Sequence, residues 1–257
     1  MTTPQLARPT VPRDPAPLLW AVTGACWFLL VVLLLTSGVD LAGHDDVIER
    51  SHLWLPVRLA AFTGAWSVML GAMMLPTTVP MVRLFVAVSA RQQRPARARA
   101  AFGSAYLLVW AGFALVALAG DTGVHWLVDH WGWLSAREPL VLAGTLGLAG
   151  AYQLSPLKDA CLRACRTPLS MMGQHYARGA RGGWHVGVAH ALSCLGCCWA
   201  LMLVMFATGV GSLAWMLGLT AVMVGEKTTP LGPRLVRPVS WGLLLAGAIL
   251  ALPALTA

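Results

Sequence analysis

Charge is scarce in this 257-residue sequence. Only 11% of its residues are Asp, Glu, Lys or Arg, 58% are hydrophobic, and the mean hydropathy is +0.70. Soluble domains carry roughly twice that charge, so there is no room for a soluble catalytic domain. Acids are the scarcer sign, 10 against 18 Lys and Arg, which leaves a net charge of +8. The basic residues sit in short segments between apolar runs instead of forming one patch, which argues against nucleic acid as a partner and for a topological role. Cysteine is also sparse. Six residues, five of them clustered between Cys161 and Cys198, are too few for a secreted disulfide scaffold and read as free thiols or thiolate ligands. No period of about 20 to 50 residues repeats, which removes solenoids and weakens any reading as a transporter of two matched halves. There is no G-x-x-x-x-G-K-S/T loop and no acidic path through the apolar runs, so ATP-driven pumping by this chain is not expected.

What is present is long apolar sequence. A crossing helix takes about 20 mostly apolar residues, and seven segments approach that: Leu18 to Thr36, Val57 to Val88, Phe102 to Gly120, Pro139 to Leu157, Trp184 to Thr208, Gly211 to Gly225 and Val239 to Pro253. The expected fold is all-α, a polytopic transmembrane helical bundle of about seven helices. A polar, Pro-rich segment, 1–17, precedes a single transmembrane domain, 18–257, and the first apolar run, lacking a small-residue cleavage site, reads as a retained helix. The second run is interrupted by Pro76 and Pro80, which remove backbone donors and should kink it. The fifth and sixth meet at Gly209 in a tight hairpin.

Most Lys and Arg fall in alternate connections, at Arg91, Arg94, Arg97, Arg99, Lys158, Arg163, Arg166, Arg178, Arg181, Lys227, Arg234 and Arg237, together with Arg8 and Arg13. The other side keeps Arg50, Arg58 and Arg137 and collects Asp40, Asp45, Asp46, Glu49, Asp121, Asp129 and Glu138. The positive-inside rule then places the N-terminus in the cytoplasm and the C-terminus outside, in a cytoplasmic (inner) membrane. Trp20, Trp54, Trp126, Trp131, Trp133, Trp184 and Trp241 lie near helix ends, as an interfacial belt requires.

Three groups carry candidate chemistry. In the fifth run His190, Cys194, Cys197 or Cys198, Met202 and Met205 recur three or four residues apart and share a helix face. Such a ladder of imidazole, thiolate and thioether favours Cu(I), with Zn(II) as the second choice; the competing reading is inert packing, since Cys and Met are common in apolar interiors. In the second run Met69, Met73 and Met74 precede Pro76, and Met69 and Met73 are one turn apart. At 1.5 Å per residue Met73 lies about 24 Å from the outer entry of its helix and Cys194 about 15 Å from the inner entry of its own, so both fall in the inner half of the bilayer. After the fourth run, Pro156 can open a surface helix on which Cys161 and Cys165, four residues apart, face the same way as a metal transfer point. Glu226 ends the sixth run, either paired with Lys227 beside it or facing the cysteines. The outer residues His44, Asp45, Asp46, His52, His125, Asp129 and His130 make a weaker second metal-collecting set, more simply read as solvated loops.

The runs Ala72-Met73-Met74-Leu75-Pro76, Tyr152-Gln153-Leu154-Ser155-Pro156-Leu157-Lys158 with Cys161, and Cys194-Leu195-Gly196-Cys197-Cys198-Trp199 resemble a bacterial family of predicted metal-binding integral membrane proteins, domain of unknown function 2182. The likeness spans roughly Trp54 to Glu226 and closes on Glu226-Lys227. It implies a polytopic membrane fold with a metal site, concerned with supplying copper to other proteins, and implies no reaction.

The leading expectation is therefore a membrane protein that buffers, transfers or delivers copper through Met69, Met73, Met74, Cys194, Cys197, Cys198 and His190. Cys161 and Cys165 would exchange the ion with a client protein or metallochaperone. No catalytic residue is assigned. Alternatives are a membrane thiol-disulfide oxidoreductase using Cys194 and Cys197, a metal-ion transporter, and a haem or quinone-linked subunit with His190 as axial ligand.

Overall fold

A computed structural model describes residues 13–37, 54–208 and 212–256. Among them the chain forms eleven helices and no strand: α1 (Ala16–Ser37), α2 (Leu55–Met73), α3 (Leu75–Ser89), α4 (Pro95–His130), α5 (Gly132–Ser135), α6 (Pro139–Gln153), α7 (Pro156–Arg166), α8 (Pro168–His175), α9 (Gly179–Ala207), α10 (Leu213–Thr228) and α11 (Gly232–Thr256). Proline sits in the first turn of α2, α3, α4, α6, α7 and α8. There its missing N–H costs nothing and its fixed φ starts the helix.

α1, α4, α9 and α11 are each long and apolar enough to cross a membrane; two bent pairs, α2 with α3 at 75° and α6 with α7 at 65°, raise the number to six if each is one span. The seventh expected span corresponds to α10, whose 16 residues rise only about 24 Å against a hydrocarbon thickness near 30 Å. Length alone therefore marks four to six crossings among the described residues, and the expected seventh is not shown by it.

Both breaks have a local cause. Pro76 cannot donate to the Ala72 carbonyl four residues back, and that oxygen instead accepts from Trp27 Nε1 of α1 at 3.0 Å. Pro156 opens α7, where the Ser155 hydroxyl caps the Lys158 N–H at 3.1 Å.

α9 runs through the core, in extensive contact with α4, α6 and α7. It approaches α4 along the small residues Gly183, Gly187 and Ala191. A Cβ at Gly183 would fall 2.2 Å from the Ala98 carbonyl oxygen, and one at Gly187 2.5 Å from that of Phe102. Small residues at four-residue spacing let two backbones approach in an apolar medium. α6 and α11 pack in the same manner, with Gly150 against Leu244 and the Ser240 hydroxyl donating to the Gly150 carbonyl at 2.7 Å.

The basic connections gather at one end. Gln92 bridges the α3–α4 turn to Tyr176 and to the Gly179 N–H, at 2.9 Å each. Arg166 donates to the Glu226 carbonyl, and Asp14, just before α1, pairs with Arg83 at 2.8 Å. All seven tryptophans of the expected belt are exposed.

The outer residues His44, Asp45, Asp46 and His52, and Gly209, lie outside the described residues. His125, Asp129 and His130 were expected in a loop and instead continue α4. His125 Nδ1 is 3.0 Å from the Asp121 carbonyl oxygen and His130 Nδ1 2.8 Å from that of Trp126.

Candidate metal centre

Sulfur from three separate parts of the chain meets beside the α2–α3 corner. Met74 is the C-cap of α2 and the N-cap of α3, and its side chain lies in the core. It is fully buried, and its Sδ lies 3.9 Å from Cys198 Sγ on α9. On α9 itself, the Cys197 and Cys198 thiols both donate back to the Cys194 carbonyl, at 3.0 and 2.9 Å. These local bonds hold the side chains in place. They also send them to different neighbours: Cys198 toward Met74, Cys197 toward Cys165 of α7 with the two Sγ atoms 3.8 Å apart. Cys194 Sγ meets the Tyr106 hydroxyl of α4 at 3.5 Å and Lys227 Nζ of α10 at 3.2 Å. Cys194, Cys197 and Cys198 are buried, and all six cysteines are free thiols.

α7 reaches this cluster because Gly196 lets it. A Cβ at Gly196 would fall 2.5 Å from Cys161 Sγ, so Cys161 and Cys165 both face α9, in agreement with their four-residue spacing. Tyr152 of α6 reinforces the approach by donating to the Gly196 carbonyl.

Met69 and Met73 lie buried in the same apolar core as the cysteines, as do Met202 and Met205. Among the described residues, the thioether within hydrogen-bonding distance of a thiol is nevertheless that of Met74. His190, one turn before Cys194, is 3% exposed and stacks on Phe102 and Tyr106 at centroid distances of 6.1 and 5.7 Å. Neither of its ring nitrogens has a hydrogen-bond partner among the described residues. It lines an apolar cavity of about 390 Å³ together with Cys26, Phe85 and Tyr106.

Glu226 faces neither Lys227 nor the cysteines. Its carboxylate accepts from Lys158 Nζ at 2.6 Å and from Gln153 Nε2 at 2.9 Å, in a pair that is 1% and 2% exposed. Adjacent helical residues do not face the same way. Glu226 accordingly points to α7 while Lys227 points to α9, where Nζ reaches Cys198 Sγ at 3.7 Å and Met74 Sδ at 3.8 Å as well as Cys194.

Among the described residues no group of three or more His, Cys, Asp or Glu side chains is gathered tightly enough to hold a metal ion. The convergence consists of sulfur pairs and includes a thioether, a donor set suited to a soft monovalent ion rather than to a hard divalent one. With metal–sulfur bonds of about 2.3 Å, two ligands of one tetrahedral centre stand roughly 3.8 Å apart. The pairs Cys165–Cys197 and Cys198–Met74, at 3.8 and 3.9 Å, already have that spacing.

Sequence reasoning missed Tyr106; it named Gln153 and Lys158 only within a motif and Lys227 only beside Glu226, without the contacts they make here. The available signal was the pair Glu226-Lys227 at the end of a segment too short to span, where two opposite charges on adjacent residues must turn to different neighbours.

A family model described as PpoB2, copper chaperone, matches residues 63–250, a stretch that contains every residue of the sulfur cluster. No curated protein and no solved structure matches the chain.

Proposed function

Because this chain belongs to the PpoB2 copper chaperone family, we propose that it is a membrane-embedded carrier that takes up Cu(I) on buried sulfur and passes it to a client protein. Cys194, Cys198 and Met74 form the holding site, and Cys197 with Cys165 forms the hand-over pair. The observation that carries this reading is the meeting of Met74 with Cys198 and of Cys165 with Cys197, sulfur to sulfur, from elements remote in sequence. Thiolates bind Cu(I) and Zn(II) alike, whereas the neutral, polarizable thioether selects Cu(I).

The hand-over role of α7 follows from its make-up. It carries Arg163 on the exposed side, Arg166 against the Glu226 carbonyl, and Cys161 and Cys165 toward α9, so it links the buried cluster to the basic end of the bundle. That end is the cytoplasmic one by the positive-inside rule, with the bundle in a bacterial inner membrane. With Asp14 paired to Arg83 at that end and α11 starting there beside Arg166, the N-terminus is taken as inside and, with α10 counted as a crossing, the C-terminus as outside. A client or metallochaperone would meet Cys165 and Cys161 from this face. His190, with two unpartnered ring nitrogens, is a reserve ligand one turn above Cys194. Glu226 braces α7 against α10 and takes no part in binding. A redox cycle on Cys194 and Cys197 gains no support, because the thiol facing Cys197 is Cys165.

X-ray absorption at the copper edge of the anaerobically loaded protein tests the reading. A shell dominated by sulfur supports it; a shell of nitrogen and oxygen, or preferential retention of zinc when both ions are offered, contradicts it.

A further inference from the structure

Lys227 holds the position that the cargo needs. An ammonium carries three N–H donors, and three sulfur atoms surround this one: Cys194 Sγ at 3.2 Å, Cys198 Sγ at 3.7 Å and Met74 Sδ at 3.8 Å. Those are the same three atoms assigned above to Cu(I). A metal bonded to them at about 2.3 Å lies in the volume that Nζ fills. The two cations carry the same charge, and one cage cannot hold both.

Among the described residues no carboxylate pairs with this ammonium. The carboxylate next to it in sequence, Glu226, has both oxygens engaged by Lys158 and Gln153. At the same time the end of α10 is pinned by that ion pair and by the bond from Arg166 to the Glu226 carbonyl. The helix end is fixed, so any movement belongs to the lysine side chain alone. Lys227 is the penultimate residue of α10, and a four-carbon stem at a helix end can carry its charge out to the interface while the stem stays on apolar surface.

We propose that Lys227 is a tethered cation that competes with copper for the cage of Cys194, Cys198 and Met74. It fills the cage in the copper-free protein, withdraws toward the basic end when Cu(I) binds, and by returning drives the ion toward Cys197 and Cys165 for release. This inference rests on the copper reading of the cluster. It separates two roles of opposite sign. A lysine that merely balances the charge of a copper–dithiolate centre would strengthen binding, whereas a competitor weakens it.

The test is the Cu(I) affinity of the full chain in detergent, measured against a chromophoric Cu(I) chelator, for the wild-type protein and for Lys227→Leu, which keeps an apolar side chain, removes the charge and adds no sulfur ligand. The expected result is at least tenfold tighter binding and slower transfer to the chelator in the variant. Equal or weaker binding overturns the proposal while leaving the copper reading intact. Absence of copper from both proteins sinks that reading and the proposal with it. Should the variant not fold, acylation of Lys227 in the wild-type protein, followed by mass spectrometry, decides the matter. Cu(I) loading is expected to raise labelling at Lys227 severalfold, and unchanged labelling of the loaded protein overturns the proposal.

Discussion

Met74 and Cys198 stand 124 positions apart in the chain, yet their sulfur atoms lie 3.9 Å from each other. The contact depends on the bend at Pro76, which converts Met74 from one more residue on an apolar helix into the corner of two. Met74→Leu keeps the volume, and conservative swaps of this kind cost under about 1.5 kcal/mol in a core. It is predicted to weaken Cu(I) binding about tenfold with little change in unfolding, while Met69→Leu leaves affinity within about twofold. Chelator competition on the two variants checks this; equal losses in both would remove Met74 from the site.

The buried pair Lys158–Glu226 yields a stability prediction. Both side chains are almost wholly excluded from solvent, and removing one partner of such a pair costs on the order of 3–5 kcal/mol by leaving an uncompensated charge. Glu226→Gln should therefore lower the unfolding midpoint in detergent markedly. The double change Lys158→Met with Glu226→Met should recover much of the loss, since the apolar replacement leaves no orphan charge. A double variant no better than the single one would show that the pair has a role beyond its own neutralisation.

Oxidation should distinguish the facing thiols from the sequence-adjacent ones. Cys165 and Cys197, 3.8 Å apart across two helices, are predicted to form the predominant disulfide on mild treatment with diamide. Copper loading should protect them. Peptide mapping reads the outcome, and a dominant Cys194–Cys197 bridge would contradict the assigned geometry.

The seam between α4 and α9 has no space for a side chain. Gly187→Leu would drive a Cβ against the Phe102 carbonyl and the Ala105 methyl, and backbone cannot yield as a flexible side chain does. Loss of folded protein is expected on size-exclusion chromatography. Gly103→Leu on α4, where nothing lies within 4 Å of the added Cβ, should be tolerated.

Much of this arrangement was legible in the sequence because it is written in local chemistry. The break before Pro76, the new helix at Pro156 and the shared face of Cys161 and Cys165 follow from a missing donor and from helical periodicity. The all-helical class follows from runs of apolar residues. The remainder depends on tertiary direction. Met74 was legible as one of three methionines, but only its place at the corner of a 75° bend and its contact with Cys198 set it apart from Met69 and Met73. Lys158 and Lys227 read as topological charges, with Lys227 as a candidate partner of the adjacent Glu226; here Glu226 holds the first and sulfur surrounds the second. The seventh crossing is marked by composition alone, because the 16 residues of α10 fall short of the length of a full span.

Copper stoichiometry of the purified full-length protein, loaded with Cu(I) under anaerobic conditions and stripped of loosely held ion by a weak chelator, tests the central claim most directly. About one copper per chain is expected in the wild-type protein, and a small fraction of that in Cys194→Ser with Cys198→Ser. Equal copper in the two proteins, or none in either, would contradict a carrier built on these sulfur atoms.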